Sequence, residues 1–309
     1  MQVLLNMVSR VHSRMDATAL GNFSLGLSHV GVAHSNDVKA AIHALTSLLS
    51  ELLPASATLD LSIERLNSRK FSPRKDYQVN RLVSGPLQLP TDTHLVLDET
   101  AMQAGKLNDH GCRNLRALQQ VVLDQTVTYD FMYSTSDWPI DAPAVVVSTG
   151  PPMIKCKLQL PLQCTYSDGL SGPTATTAQS TLAHSFATRL PQARGLIAAA
   201  KYLPFTLSEA GSAAVEAHFV QARQQDKDIS AEHLHAWITH ARLLAVSHGE
   251  TTLTDARWNE ARAMEAVRLQ RVKQVTPKKG GPPPSGFGIP SAPTTGGPKR
   301  TVAPHPDSA

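Results

Sequence analysis

Apolar residues along this chain follow two periods, and the change from one to the other divides it. In the first half, short apolar runs alternate with polar residues or run unbroken between turn residues, as the strands of a sheet do. Phe23, Leu25 and Leu27 alternate, and Leu59, Leu61 and Ile63 alternate with Asp60, Ser62 and Glu64 to predict a half-exposed strand. Leu95-Val96-Leu97 is a buried run that stops at Asp98-Glu99. Val127, Tyr129, Phe131 and Tyr133 predict a strand with one aromatic face, packed in a core rather than offered to nucleic-acid bases because no Lys or Arg is interleaved with it. Ala144 to Thr149 is a strand covered on both faces, as parallel sheets require, and Ile154, Cys156, Leu158 and Leu160 form another. Helical spacing separates these strands. Leu4 to Val11 reads as the end of a helix, Val38 to Leu52 as a helix stopped by Pro54, and Leu115, Leu118 and Val122 as a helix that Gly111 and Asn114 start. Asn67 to Tyr77 is polar and basic, and reads as a loop.

Beyond a Ser, Thr, Gly and Pro-rich loop at Tyr166 to Thr177, every pattern is helical. Leu182, Phe186 and Leu190 share a face, a helix follows over about Gln192 to Tyr202, and Val215, Phe219 and Ala222 share another face. Ser230 caps a helix carrying Leu234, Trp237, Ile238, Ala241 and Leu244, and Thr254 one carrying Trp258, Ala261 and Met264. The expected organisation is an α/β core over 1–165, a loop over 166–177, a helical subdomain over 178–273 and a disordered tail over 274–309. The tail's nine prolines and six glycines bury too little apolar surface to offset chain entropy.

Charge removes one class of function. The formal net charge is +4, but Lys278, Lys279, Lys299 and Arg300 against Asp307 place +3 of it in the tail and leave +1 for the rest. A near-neutral body lacks the basic footprint that phosphate-backbone binding needs. No apolar run approaches the ~20 residues of a membrane span, and the start carries no basic region followed by an apolar one, so the expectation is a soluble intracellular chain. Cys112, Cys156 and Cys164 fit neither a metal clip nor a disulfide framework.

The candidate chemistry centres on Asp98 and Glu99. In nucleotide-dependent machines a strand ending in two acids delivers an Asp to magnesium and a Glu to the attacking water; the plainer reading is a core strand ending at a polar loop. The companion phosphate loop would be Ser28 to Asn36, between a strand and a helix, yet it holds only Gly31 and no Gly-Lys-Ser/Thr. His233 and His235 point to different faces of a helix, and His233 and His240 are about two turns apart, too far for one metal ion. No G-x-S-x-G or H-E-x-x-H motif is present. Arg69, Lys70, Arg74 and Lys75 around Phe71 and Pro73 are candidate contacts for an acidic partner, against the alternative of a solvated loop.

Three segments together resemble the mini-chromosome maintenance (MCM) complex-binding protein family: Phe71 to Tyr77 continuing through Asn80 to Gly85 and on to Leu97-Asp98-Glu99-Thr100, Ile229 to His235, and Thr251 to Trp258. The resemblance covers about residues 1–273 and corresponds to the C-terminal part of the family's usual length. It implies a degenerate AAA+ domain of the MCM type with a helical lid, to which Leu207 to Ala210 and Phe219 to Arg223 are similar. In that alignment Asp98 and Glu99 are vestigial Walker B-like residues, sensor 1 falls near Ser148-Thr149, the sensor-2 Arg falls at Glu232, and the hairpin's DNA-contacting Lys falls near Phe131. No Ser-Arg-Phe-Asp finger motif appears. Without the phosphate-loop Lys, the cationic sensor and the finger, most of the positive charge that stabilises phosphoryl transfer is gone. The resemblance therefore implies no catalysis, no cofactor and no metal. It implies a nuclear binding protein of MCM helicase subunits, associated with chromatin through them, that acts in helicase remodelling or unloading, replication and sister-chromatid cohesion. A nucleotide-binding ATPase and a direct DNA binder are the alternatives.

Overall fold

A computed structural model of the chain describes residues 1–15, 18–29, 45–162 and 189–275. The elements run α1 (Gln2–Val8), β1 (Ser13–Met15), β2 (Thr18–Leu20), β3 (Leu25–His29), α2 (45–52), β4 (Ser56–Asp60), α3 (Ile63–Ser68), β5 (Arg74–Asp76), β6 (Arg81–Val83) and β7 (His94–Asp98). They continue through α4 (Asp109–Asp124), β8 (Thr126–Asp130), β9 (Thr135–Pro139), β10 (Ala144–Ser148) and β11 (Leu158–Leu162) to α5 (Leu190–Tyr202), α6 (Glu209–Gln225), α7 (Ala231–Ser247) and α8 (Asp255–Val275).

Five strands form a wholly parallel sheet in the order β11-β3-β10-β7-β4. Because side chains alternate across a strand, the sheet feeds two cores. Val145 and Val147 of β10, Leu25 and Leu27 of β3 and Val96 of β7 enter one, where they meet Leu5 and Val8 of α1, Leu49 of α2 and the apolar sides of α5 to α8. Ala144 and Val146, with Leu95 and Leu97 and Leu59, enter the other, against Leu66 of α3 and Leu118, Val121 and Val122 of α4. Each fully buried Leu or Val is worth about 1.5–3 kcal/mol. The strands read from 25, 95, 144 and 158 and the helices read from 4, 192, 215, 230 and 254 are all found, though Ile154 and Cys156 lie ahead of β11 rather than in it. The loop at 166–177, the face of Leu182 and Phe186, the tail and most of the segment 28–44 lie outside the described residues.

Four expectations are corrected. Ile63 opens α3 instead of extending a strand: Ser62 is the N-cap, and its hydroxyl oxygen accepts the Arg65 N–H at 3.1 Å. The helix after Glu99 is capped by Asn108, whose Oδ1 accepts the Gly111 N–H at 2.8 Å, whereas Asn114 is buried and holds the loop before β5. Its Nδ2 donates to the Leu66 and Arg69 carbonyls at 2.7 and 2.6 Å, and its Oδ1 accepts the Phe71 N–H at 3.1 Å. The alternation from Val127 to Tyr133 is not one strand either, because β8 ends at Asp130 and Phe131 to Ser134 is a turn into β9. The polar stretch ending at Tyr77 contains β5, which sits in a second, four-stranded sheet of order β6-β5-β8-β9.

Polar bonds fasten α1 to the main sheet. Asn6 is fully buried; its Nδ2 donates to the Phe23 and Ala144 carbonyls at 2.5 and 3.0 Å, and its Oδ1 accepts from His94 Nε2 at 2.6 Å. At the start of the same helix Gln2 Nε2 donates to His240 Nε2 of α7 at 3.3 Å, and the His240 ring stacks on Phe23 at 5.8 Å. Burial, aided by the nearby Lys201 cation, holds the His94 pKa down at about 3. The unfolded chain protonates this group near 6.5. Stability is therefore full above that pH and falls as the pH drops toward about 3, by up to about 1.4 kcal/mol per pH unit. In urea titrations over this window, His94→Gln, which keeps a donor for Asn6 but does not titrate, is expected to flatten the dependence; an unchanged slope would contradict the assignment.

Candidate functional site

The carboxyl end of β7 lies beside those of β4 and β10, with Asp98 in register with Asp60 on one side and Val147 on the other. Ligands of open parallel sheets bind at this edge. Asp98 and Glu99 are brought to it, but each is engaged with the protein's own backbone. Asp98 Oδ1 accepts from the Thr100 N–H at 2.8 Å and from its hydroxyl at 2.6 Å, so it closes the turn that follows. Glu99 is buried, and its two oxygens accept from Met153 N–H at 2.9 Å and Ile154 N–H at 3.0 Å, which lie in the connection from β10 to β11. Burial raises its pKa, the two backbone bonds oppose that, and neighbouring Asp98 adds to the rise.

The other positions singled out by sequence are scattered. Ser148 is buried and its hydroxyl donates to the Gly150 carbonyl at 2.7 Å, Phe131 stands in the β8–β9 turn, and Glu232 is exposed in the first turn of α7. Arg69 and Lys70 are exposed where α3 ends, while Arg74 and Lys75 are half-buried on β5 and, as consecutive strand residues, face opposite ways. Lys75 Nζ lies 6.0 Å from the centre of the Tyr77 ring. Two of the histidines serve structure: His233 Nδ1 accepts the Ser230 N–H at 3.2 Å, and His240 is part of the core. Cys112 and Cys156 are free thiols, the second with a pKa pushed up by burial; Cys164 lies outside the described residues. Among the described residues no three of His, Cys, Asp and Glu gather as a metal site, and no helix is long and apolar enough to cross a membrane.

Two features carry no sequence signal of the kind used above. A cavity of about 400 Å³ opens between α6, α7 and α8, where the His218 ring lies 4.9 Å from that of Trp237 and 5.6 Å from that of Trp258. The second sheet exposes Tyr77, Val79, Leu82, Met132, Tyr133 and Trp138. Spacing hides both, since the first joins three helices and the second joins two turns.

The bonds at the end of β7 give Glu99 a role that unfolding can read. Glu99→Gln keeps one acceptor and turns an NH₂ toward the other backbone donor, which is left buried and unpaired. The expected loss is about 1–3 kcal/mol in denaturant unfolding. Unchanged stability would mean that the carboxylate does not hold the β10–β11 connection.

The model of one family, described as mini-chromosome maintenance replisome factor, matches residues 2–272. Among curated proteins, the mini-chromosome maintenance complex-binding protein of Arabidopsis thaliana is 35% identical over 272 residues, which are 88% of this chain and 44% of that protein. Those of Danio rerio and Homo sapiens are each 34% identical, over 273 and 274 residues, again 88% of this chain but 42% and 41% of theirs. The chain thus spans less than half the length of these relatives. With a family match over nearly all of the residues from α1 to α8, the chain belongs to the mini-chromosome maintenance replisome factor family.

Proposed function

We propose that this chain is a non-catalytic binding protein of the MCM helicase complex, built on a degenerate AAA+ framework. Its relatives are named for binding that complex. Numbered by position in the chain, the five parallel strands lie in the order 5-1-4-3-2, and Asp98-Glu99 ends the third, where this reading needs its Walker B-like pair. In this reading residues 1–165 are the core and 178–273 its lid-like companion.

The observation that carries the non-catalytic part is Glu99. A general base must offer an oxygen to the water it activates, whereas Glu99 is 5% exposed and its carboxylate is turned onto the Met153 and Ile154 N–H groups as a structural tie. The loop from Ser28 to Asn36 adds no Lys for a phosphate, and Glu232 puts a negative charge where a cationic sensor is needed. A fold that imitates one MCM subunit can occupy a neighbour's interface without hydrolysing ATP. Arg69, Lys70, Arg74 and Lys75 are proposed contacts to acidic groups of that neighbour. The cellular role that follows is nuclear: remodelling or unloading of the helicase from chromatin, in support of replication and cohesion.

Two measurements test this reading. Mixed with purified MCM subunits, the chain is expected to co-elute with at least one in size-exclusion chromatography, and co-elution with none refutes the proposal. In calorimetry with ATP and magnesium it is expected to give no micromolar binding; such binding, lost in Asp98→Asn and Glu99→Gln, would make it a nucleotide-dependent protein instead.

A further inference from the structure

We propose that the two turns following β5 and β8 form a single docking knob that seats in an uncharged apolar groove on a partner protein. The inference rests on the reading of this chain as an MCM-binding protein and adds an apolar anchor, at the tip of the second sheet, to the basic contacts proposed above. Strands β5 and β8 run parallel, with Arg74 opposite Asp130, so their turns emerge at the same end of the second sheet. Tyr133 is 86% exposed, Met132 65%, Val79 56% and Tyr77 49%. The two turns are joined to each other: the Tyr77 hydroxyl donates to the Phe131 carbonyl at 3.0 Å, and the Tyr77 and Tyr133 rings meet edge to face at 5.9 Å. An exposed apolar cluster of this kind on a framework held by backbone bonds marks an interaction site.

The turns are also built alike. Each opens with an Asp whose Oδ1 accepts a backbone N–H two residues on, Asp76 from Gln78 at 2.9 Å and Asp130 from Met132 at 2.8 Å. Each then holds a residue in the left-handed region, Asn80 at φ 48° and Met132 at φ 66°. Asn tolerates that backbone because its short polar side chain can bond locally, whereas the Met side chain has no polar atom to do so. Strain kept at the most exposed part of the sheet, with a large apolar side chain displayed by it, is the pattern of a site selected for contact rather than for stability.

Charge decides what kind of partner fits. The four strands of the sheet carry three bases, Arg74, Lys75 and Arg81, and three acids, Asp76, Asp130 and Asp137. Nucleic acid would need a surplus of cations beside the aromatic rings. A balanced surface with an apolar tip complements an apolar groove without net charge, and its tyrosines supply rigid anchors with a polar end.

The test measures binding of the full chain to each purified MCM subunit by biolayer interferometry, with Met132→Gly, Tyr133→Ser and, as a distant control, the exposed α5 variant Leu196→Ser. Met132→Gly relieves the backbone, so its melting temperature should be equal or higher while its affinity falls about tenfold or more, with the same loss in Tyr133→Ser and none in Leu196→Ser. If the wild-type chain binds a subunit and both tip variants bind as tightly, the knob is refuted and the broader reading stands. If the wild-type chain binds no subunit, the broader reading fails and takes the knob with it. Single-stranded DNA affinity or a concentration-dependent dimer in sedimentation, lost in the tip variants while subunit binding is retained, would assign the tip to DNA or to a second copy and overturn the proposal.

Discussion

A parallel sheet satisfies its inner backbone groups only between strands, and it is stable only when both of its faces are covered. That requirement organises this molecule. Ala144 to Ser148 is buried at every position because β10 has strands on both sides and helices above and below. One face is closed by α3 and α4, which come from the crossovers within the sheet. The other is closed by α1, ahead of the sheet, by α2, within it, and by α5 to α8, after it. The helical second half therefore shares its core with the strands it covers.

The same edge that gives an open sheet its usual site has here been drawn into the framework. Strand β7 delivers two carboxylates to the place where a nucleotide machine would use them. Asp98 turns back on Thr100, and Glu99 reaches across to the chain leaving β10. Two backbone donors make a buried carboxylate tolerable, and they tie the end of β7 to the chain leaving β10.

What could be read from the sequence depended on how local its cause was. The run from Ala144 was legible because burial on both faces leaves Ala144 to Val147 without a polar residue. The alternation of Leu59, Leu61 and Ile63 misled because it continues unbroken across Ser62, and nothing in the period marks the point where a hydroxyl takes over as a helix cap. Alternation likewise runs from Val127 through Tyr133, although Asp130 ends the strand by bonding the Met132 N–H. The second sheet escaped notice because β5 and β6 are three residues each and largely charged. At the candidate site, the position of Asp98 and Glu99 followed from the apolar run before them. What Glu99 touches did not, because Met153 and Ile154 lie 54 and 55 residues away.

Helix α1 carries a kinetic consequence. Its Asn6 bonds Ala144, 138 residues on, and its Gln2 bonds His240, 238 residues on. Loops of that length must close before either contact exists, so these two bonds form only once β10 and α7 are in place, whereas the bond to Phe23 spans 17 residues. Until they do, the part of that core filled by Leu5 and Val8 is not closed. The seven residues of α1 therefore act as a clasp, and the lifetime of the unclasped body sets how long its apolar face is offered to chaperones or to other copies of itself.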